Sequence, residues 1–218
     1  MKEPASKLLS SGKNAKSDVA NKLISMYLHE LSQAISASWK FKVNSSAYVD
    51  IVRGRFNNLC PYCSCELNDA NSIIEHMDGM NRLRAGLHVP GNVVVACKSC
   101  NNEKRRDDSK MELTLAASGW ESFLSHDGTR CTNVLCKTCL YWKRIRPDHA
   151  ERKKLLGENL QRIRDFRNEF RESREDHHAL LSTLPATLME LYIGGQAFAA
   201  QQVKLLLEKV HDPSASHF

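Results

Sequence analysis

Glu75 and His76 stand side by side, with one CxxC pair before them at Cys60 and Cys63 and another after them at Cys97 and Cys100. Two thiolates separated by two residues can curl around one ion, and two such pairs supply the four sulfur ligands of a tetrahedral Zn²⁺. A site closed by four thiolates fixes a frame and does no chemistry itself. Cys65 falls outside the CxxC spacing and reads as a bystander thiol. The chemistry then falls to the acid and the imidazole between the pairs. Glu75 offers a hard anionic oxygen, and Asn101, directly after the last thiol, offers an amide carbonyl oxygen. Donors of this kind suit Mg²⁺ or Mn²⁺ better than a second zinc. An ion held by two protein groups keeps positions for water and a phosphate oxygen, and stabilises the charge that builds during displacement at phosphorus. His76, with an ordinary pKa of about 6.5, can take a proton from water at neutral pH. Neighbours in a strand point to opposite faces, so Glu75 and His76 share one site only if the strand bends or one acts through backbone or water.

The elements that must position these groups can be read from the pattern. Ser72 to Met77 predicts a short strand, and residues 78 to 91, with three glycines and a proline, a long connection. Val93 to Ala96 predicts a second strand, and the chain from Asn101 a helix. Upstream, Val19, Leu23, Met26, Tyr27, Leu31 and Ile35 recur at helical spacing between Asp18 and Trp39, after a Ser/Lys-rich lead-in over residues 1 to 16. A second helix is expected from Ala47 to Asn57, capped by Ser45 or Ser46, with Tyr48, Ile51, Val52 and Phe56 inward. Downstream, Leu156, Leu160, Ile163, Phe166 and Phe170 stripe one long helix from Asp148 to Ser182, which Leu184-Pro185 breaks. Two shorter helices, 186 to 193 and 196 to 210, are expected either side of Gly194-Gly195, before a frayed end, DPSASHF.

CPYC, then the Glu75-His76 pair, then Asn92 ahead of an apolar strand, then CKSCN and a downstream lysine resemble the HNH (ββα-metal) endonucleases. The resemblance spans residues 56 to 110 and is closest to members that brace the motif with a four-cysteine zinc site. It implies an α+β fold, mostly helical: a β-hairpin, a helix and a zinc knuckle embedded among N- and C-terminal helices. The chain then divides into an N-terminal helical segment (1–55), the HNH core (56–110), a basic cysteine-containing segment (111–147) and a C-terminal helical region (148–218). The family's general base maps onto His76, and its ligands to the catalytic metal onto Glu75 and Asn101. Its middle asparagine, which holds the hairpin loop in shape, maps onto Asn92. The acidic position, often aspartate in that family, is glutamate here. The implied reaction is phosphodiester hydrolysis leaving a 5′-phosphate and a 3′-hydroxyl.

A net charge of +6 permits a polyanionic partner without demanding one, so the distribution of charge must decide. Lys104, Arg105 and Arg106 follow Asn101 by helical spacing, and Arg82 and Arg84 lie in the connection. All five are candidate phosphate contacts, which give affinity and register but no sequence preference. His88 is a second candidate histidine for catalysis or phosphate binding. Either basic cluster also reads as a solvated face. From Arg130 to Arg146 the chain carries five basic residues and no acid, with Lys143, Arg144 and Arg146 beside Tyr141 and Trp142, a mixture suited to nucleic acid. Cys131, Cys136 and Cys139 in that stretch are candidate ligands of a second zinc that His126 or His149 would complete; buried reduced thiols are the alternative. The long helix mixes acidic and basic residues and reads as a scaffold or dimer helix, with His177-His178 at its surface.

No stretch has the length of a membrane span and the N-terminus lacks the apolar run of a signal peptide, which places the expectation in the cytoplasm, where thiols stay reduced. The expected function is a metal-dependent DNA endonuclease in restriction or anti-phage defence. A homodimer would serve to cut both strands of a duplex, and a separate targeting or ATPase subunit is a further expected partner. The competing reading is a non-catalytic, zinc-dependent nucleic-acid-binding module in which Glu75-His76 is structural. The two readings differ on whether His76 is needed for cleavage.

Overall fold

A computed structural model describes residues 4–36, 42–108, 119–126, 131, 135–180 and 182–211, with side chains for most of them. The elements run α1 (Pro4–Ser36), α2 (Ser46–Arg55), β1 (Ser72–His76), β2 (Val93–Cys97), α3 (Lys98–Asp108), α4 (Gly119–Leu124), α5 (Lys137–Ile145), α6 (His149–Glu169), α7 (Arg171–Leu180) and α8 (Leu184–His211). The protein is therefore α+β and mostly helical, with one small sheet among the described residues. β1 and β2 pair antiparallel, with Ser72 opposite Cys97 and His76 opposite Val93. Among the described residues, no helix is long and apolar enough to cross a membrane.

Two apolar clusters hold these elements. The larger joins α2, the cysteine turn and β2 to α4, α5 and α6 through Tyr48, Phe56, Tyr62, Phe123, Trp142 and Phe166, all nearly without solvent exposure. β2 is buried along its whole length, which its continuous apolar sequence requires. The smaller joins α1 and α8 to the β1–β2 connection through Ile24, Leu28, Leu87, Val89 and Leu188. The connection thus lies between the hairpin and a helical pair.

The flanking helices depart from the sequence expectations in four ways. The helix expected from Asp18 begins at Pro4, so most of the expected lead-in is helical, with proline in its first turn, where no N–H is missed. Its buried line is Ala20, Ile24 and Leu28, whereas Val19, Leu23 and Met26 from the expected stripe are exposed. The small Ala20 marks the seam because Gly195 of α8 packs against it, and a close helix approach needs small residues there.

The same contact explains why α8 runs unbroken through Gly194-Gly195, where two separate helices were expected. Each glycine costs about 1 kcal/mol relative to alanine in a helix interior, too little to break a helix packed along its length. The single helix expected from Asp148 to Ser182 is instead interrupted at Phe170. There the backbone N–H turns back to Arg167 and Asn168, while the ring packs edge-on against Tyr48 and Phe166. Gly91, at φ +79°, lies against Phe170 so closely that any side chain would strike it. The remaining expectations for the helices hold: Ser45 caps α2 by accepting from the Tyr48 N–H, and Tyr48, Val52 and Phe56 are buried while Ile51 is only half-buried. Leu156, Ile163 and Phe166 form the buried stripe of α6. The terminal stretch from Asp212 lies outside the described residues.

Candidate active site

The cysteine turn begins where α2 ends. Asn57 and Asn58 take left-handed backbone conformations that asparagine tolerates, and Leu59 and Glu66 pair across the turn. Ser64, also left-handed, sends its N–H back to the Cys60 carbonyl, and Cys60 donates to the Cys65 carbonyl. The second pair sits at the junction of β2 and α3. Hairpin pairing carries it to the first, and the four sulfurs of Cys60, Cys63, Cys97 and Cys100 lie within 4.8 Å of one another, all buried. The N–H of Cys97 points at the Cys60 sulfur and that of Cys100 at the Cys97 sulfur, each at 3.4 Å. Hydrogen bonds from its three neighbours hold the Cys97 thiol far below its ordinary pKa, while burial pushes Cys60 and Cys100 up. Four thiols gathered in an apolar pocket, with amides turned toward sulfur, are the donor set that one zinc ion neutralises. Cys65 stands outside this set.

Two distant helices hold the cluster in place. Asn159 of α6 donates to the Tyr62 carbonyl at 2.9 Å and accepts from Ser64 Oγ at 3.0 Å, so both faces of its amide serve the turn. Tyr141 of α5 places its hydroxyl 3.0 Å from the Cys100 sulfur. Both residues lack any local sequence signal, because each acts across a long stretch of chain on a turn it does not adjoin.

Beside the cluster, β1 and α3 form a buried polar junction. Glu75 is 4% exposed and Lys104 1% exposed, and Lys104 Nζ lies 2.8 Å from Glu75 Oε1. Asn101, one helical turn before Lys104, is 5% exposed, while Asn102 points to solvent. Residues three apart on a helix share a face, so Asn101 and Lys104 look the same way. His76 also belongs to this neighbourhood. Burial first, then repulsion from His88, Lys104 and His29, push its imidazole down to about 3. Lys104 therefore acts on both Glu75 and His76, although the two alternate along the strand.

The chain matches no family model, no curated protein and no solved structure. The site is consequently read from its own residues. Glu75 and Asn101 are both buried, the one paired with Lys104 and the other one helical turn before it on α3.

Asn92 clamps the long connection. Its Oδ1 accepts from the Asp78 N–H at 2.8 Å, and its Nδ2 donates to the carbonyls of Asp78 at 3.0 Å and Leu87 at 2.7 Å. Its own carbonyl accepts from the Met77 N–H. Asp78 in turn pairs with Arg167 of α6 at 2.8 Å, tying the start of the connection to the larger core. Gly86 passes so close to the Asp78 carbonyl that only hydrogen fits between them.

The candidate phosphate contacts fare unevenly. Lys104 is buried in its ion pair and Arg84 is buried as well. Arg82 stacks over the Tyr192 ring of α8, 4.5 Å from its centre. The side chains of Arg105 and Arg106 lie outside the described ones, as do those of His177 and His178. Lys143, Arg144 and Arg146 are exposed at the end of α5, with Arg144 also over the Tyr141 ring. Tyr141 and Trp142, expected to interleave with those bases at the surface, are core residues instead. An amphipathic helix in a short basic segment must bury one face, and these aromatics form it. Trp142 also donates to the Phe123 carbonyl at 2.9 Å, fixing α5 on α4.

A second ligand set lies around the start of α5. His126, Cys131, Cys136 and Cys139 place their ligand atoms within 4.8 Å of one another. His126 Nδ1 lies 3.4 Å from the Cys136 sulfur and 3.5 Å from that of Cys139. His149, the other candidate, instead begins α6, exposed. Three cysteines and one histidine in a tight group can hold a second zinc.

Proposed function

We propose that this chain is a metal-dependent endonuclease of the HNH type, hydrolysing phosphodiester bonds in DNA. What supports the reading is the buried Glu75–Lys104 pair that joins β1 to α3, with Asn101 buried one turn earlier on α3, Lys104 acting on His76, and four thiols gathered where β2 meets α3. Buried charge and amide are expensive to keep unless they serve a site or a specific pairing.

In this reading zinc at Cys60, Cys63, Cys97 and Cys100 fixes the angle between hairpin and helix. Glu75 and Asn101 would hold Mg²⁺ or Mn²⁺, which supplies positive charge to the phosphate oxygens and the leaving group. Lys104, its Nζ 2.8 Å from Glu75 Oε1, sets an opposite charge against the buried carboxylate. In this reading His76 accepts a proton from the attacking water, although the burial that keeps it neutral also weakens it as a base. The water oxygen bonds to phosphorus as the bond to the 3′ oxygen breaks. The 3′ oxygen takes a proton from solvent, leaving a 3′-hydroxyl and a 5′-phosphate. Lys143, Arg144 and Arg146 supply exposed charge for the DNA backbone. Service in restriction or anti-phage defence, as a homodimer or beside a targeting or ATPase subunit, belongs to the same proposal.

One observation favours a second reading, a zinc-dependent nucleic-acid-binding module: Lys104 already neutralises Glu75 without a metal ion. Plasmid nicking separates the two. Purified protein with Mg²⁺ or Mn²⁺ should nick plasmid and EDTA should stop it, while His76→Ala should lose activity by on the order of 100-fold or more with its zinc retained. No nicking by the parent favours the module, and equal nicking by the parent and His76→Ala overturns the role given to His76.

A further inference from the structure

His76 is the end of a chain of hydrogen bonds that crosses three parts of the fold. Its Nε2 lies 2.8 Å from Nδ1 of His88, in the β1–β2 connection. His88 Nε2 lies 2.7 Å from Oδ1 of Asn44, in the segment between α1 and α2. The His88 main chain is fixed separately, its N–H donating at 2.8 Å to Ser32 Oγ of α1. His29, also on α1, places its ring 5.4 Å from that of His88.

The direction of the protons follows from what each atom can do. An amide oxygen only accepts, so the His88 nitrogen facing Asn44 must carry hydrogen. A neutral imidazole with hydrogen on Nε2 has its lone pair on Nδ1. His88 Nδ1 therefore accepts, and His76 must donate to it from Nε2. That leaves Nδ1 as the basic nitrogen of His76. We propose that His88, itself oriented by Asn44, is a positioning residue that fixes the tautomer and ring orientation of His76, so that Nδ1 is the nitrogen that accepts the proton of the attacking water. This rests on the nuclease reading for its last clause, whereas the proton order along Asn44, His88 and His76 stands without it.

The charged and titratable groups around the pair come from three elements: His29 from α1, Glu75 from β1 and Lys104 from α3. A second proton between rings 2.8 Å apart would set two N–H groups against each other. The arrangement holds one proton per link.

The test is a long-range ¹H–¹⁵N correlation of imidazole rings in the full zinc-loaded chain labelled with ¹⁵N-histidine, paired with plasmid-cleavage kinetics. His76 and His88 should each show a protonated Nε2 and an unprotonated Nδ1 at neutral pH. A His76 ring protonated on Nδ1, or a His88 ring protonated on Nδ1, overturns the proposal even if the protein proves to cut no DNA. His88→Ala should release His76 to a mixture of tautomers and lower kcat on the order of 10- to 100-fold with KM little changed, as loss of a partner behind a functional imidazole does. His88→Gln, whose side-chain oxygen can accept from Nε2, should recover most of that loss. Ser32→Ala removes the hold on the His88 main chain together with the Ser32 bond to the Leu28 carbonyl within α1, and should lower Tm while leaving the His76 tautomer intact. If His88→Ala and Ser32→Ala lower Tm alike and neither moves the tautomer, His88 is structural and the proposal fails.

Discussion

Lys104 Nζ sits 2.8 Å from Glu75 Oε1, an ion pair between helix and strand from which solvent is almost wholly excluded. Helix α3 is thereby tied to β1 by charge as well as by the cysteine cluster. Removing one partner of a buried pair leaves an unpaired buried charge, which typically costs about 3–5 kcal/mol. Lys104→Met should therefore destabilise the protein by an amount in that range, measured by chemical denaturation. The double variant Glu75→Gln/Lys104→Met should lie well above the Lys104→Met single variant in stability. Simple additivity in this cycle would mean the contact carries no coupling.

The two ligand sets predict two zinc ions per chain, one at each group. Cys97→Ser should lose one ion and much of the folded core, because Cys97 links β2 to α3 and the four thiols seal the larger cluster. Cys136→Ser should lose one ion while leaving the hairpin and helix in place, with damage confined to α4 and α5. Elemental analysis of the purified variants, with near-ultraviolet circular dichroism for the aromatic core, checks both. A parent chain that purifies with one ion would remove the second site.

Acid should destabilise the fold through His76. Its folded value, about 3, lies below its ordinary value near 6.5, so the unfolded chain binds the extra proton more readily. Stability from the neutral ring is fully present above about pH 6.5 and drains as the pH falls toward 3. At pH 4.5 the loss amounts to about 3 kcal/mol. His76→Gln lacks this penalty, so its Tm relative to the parent should rise as the pH is lowered from 7 to 4.5. A difference that stays constant across that window contradicts the burial argument. Zinc release, followed in parallel with a colorimetric chelator, separates acid loss of the metal from this effect.

Asn92→Ala removes acceptor and donors that bridge Asp78 and Leu87. The buried backbone groups left behind lose partners, at about 1–3 kcal/mol each before relaxation. We expect a loss of several kcal/mol by denaturant titration, and faster hydrogen exchange confined to residues 78–91. Uniform exchange across the chain would show that the asparagine does not act on the connection specifically.

What the sequence disclosed follows from how locally each feature is encoded. The β1–β2 pairing, the Ser45 cap and the four-thiol set rest on adjacent residues or fixed short spacings, and all are found in the fold. His126 as companion to three cysteines was half legible, since His149 competed for the place. The facing of α1 was misread because its contact line runs through Ala20, whose small side chain carries little hydrophobic signal but admits Gly195. Phe170 breaks the long helix only because Gly91 and Tyr48, far away in sequence, receive it. Lys104 looked like a phosphate contact from its place in a basic run, and only the strand it faces reveals its partner. The link from His76 through His88 to Asn44 joins three separate segments and has no local signature.

The most direct test of the central claim is plasmid cleavage by the zinc-loaded chain with added Mn²⁺, beside Glu75→Gln and His76→Ala proteins of proven zinc content. The claim predicts nicked and linear products bearing 5′-phosphates from the parent, abolition by EDTA at a concentration that leaves the zinc in place, and little product from either variant. Cleavage by both variants at the parent's rate would contradict it.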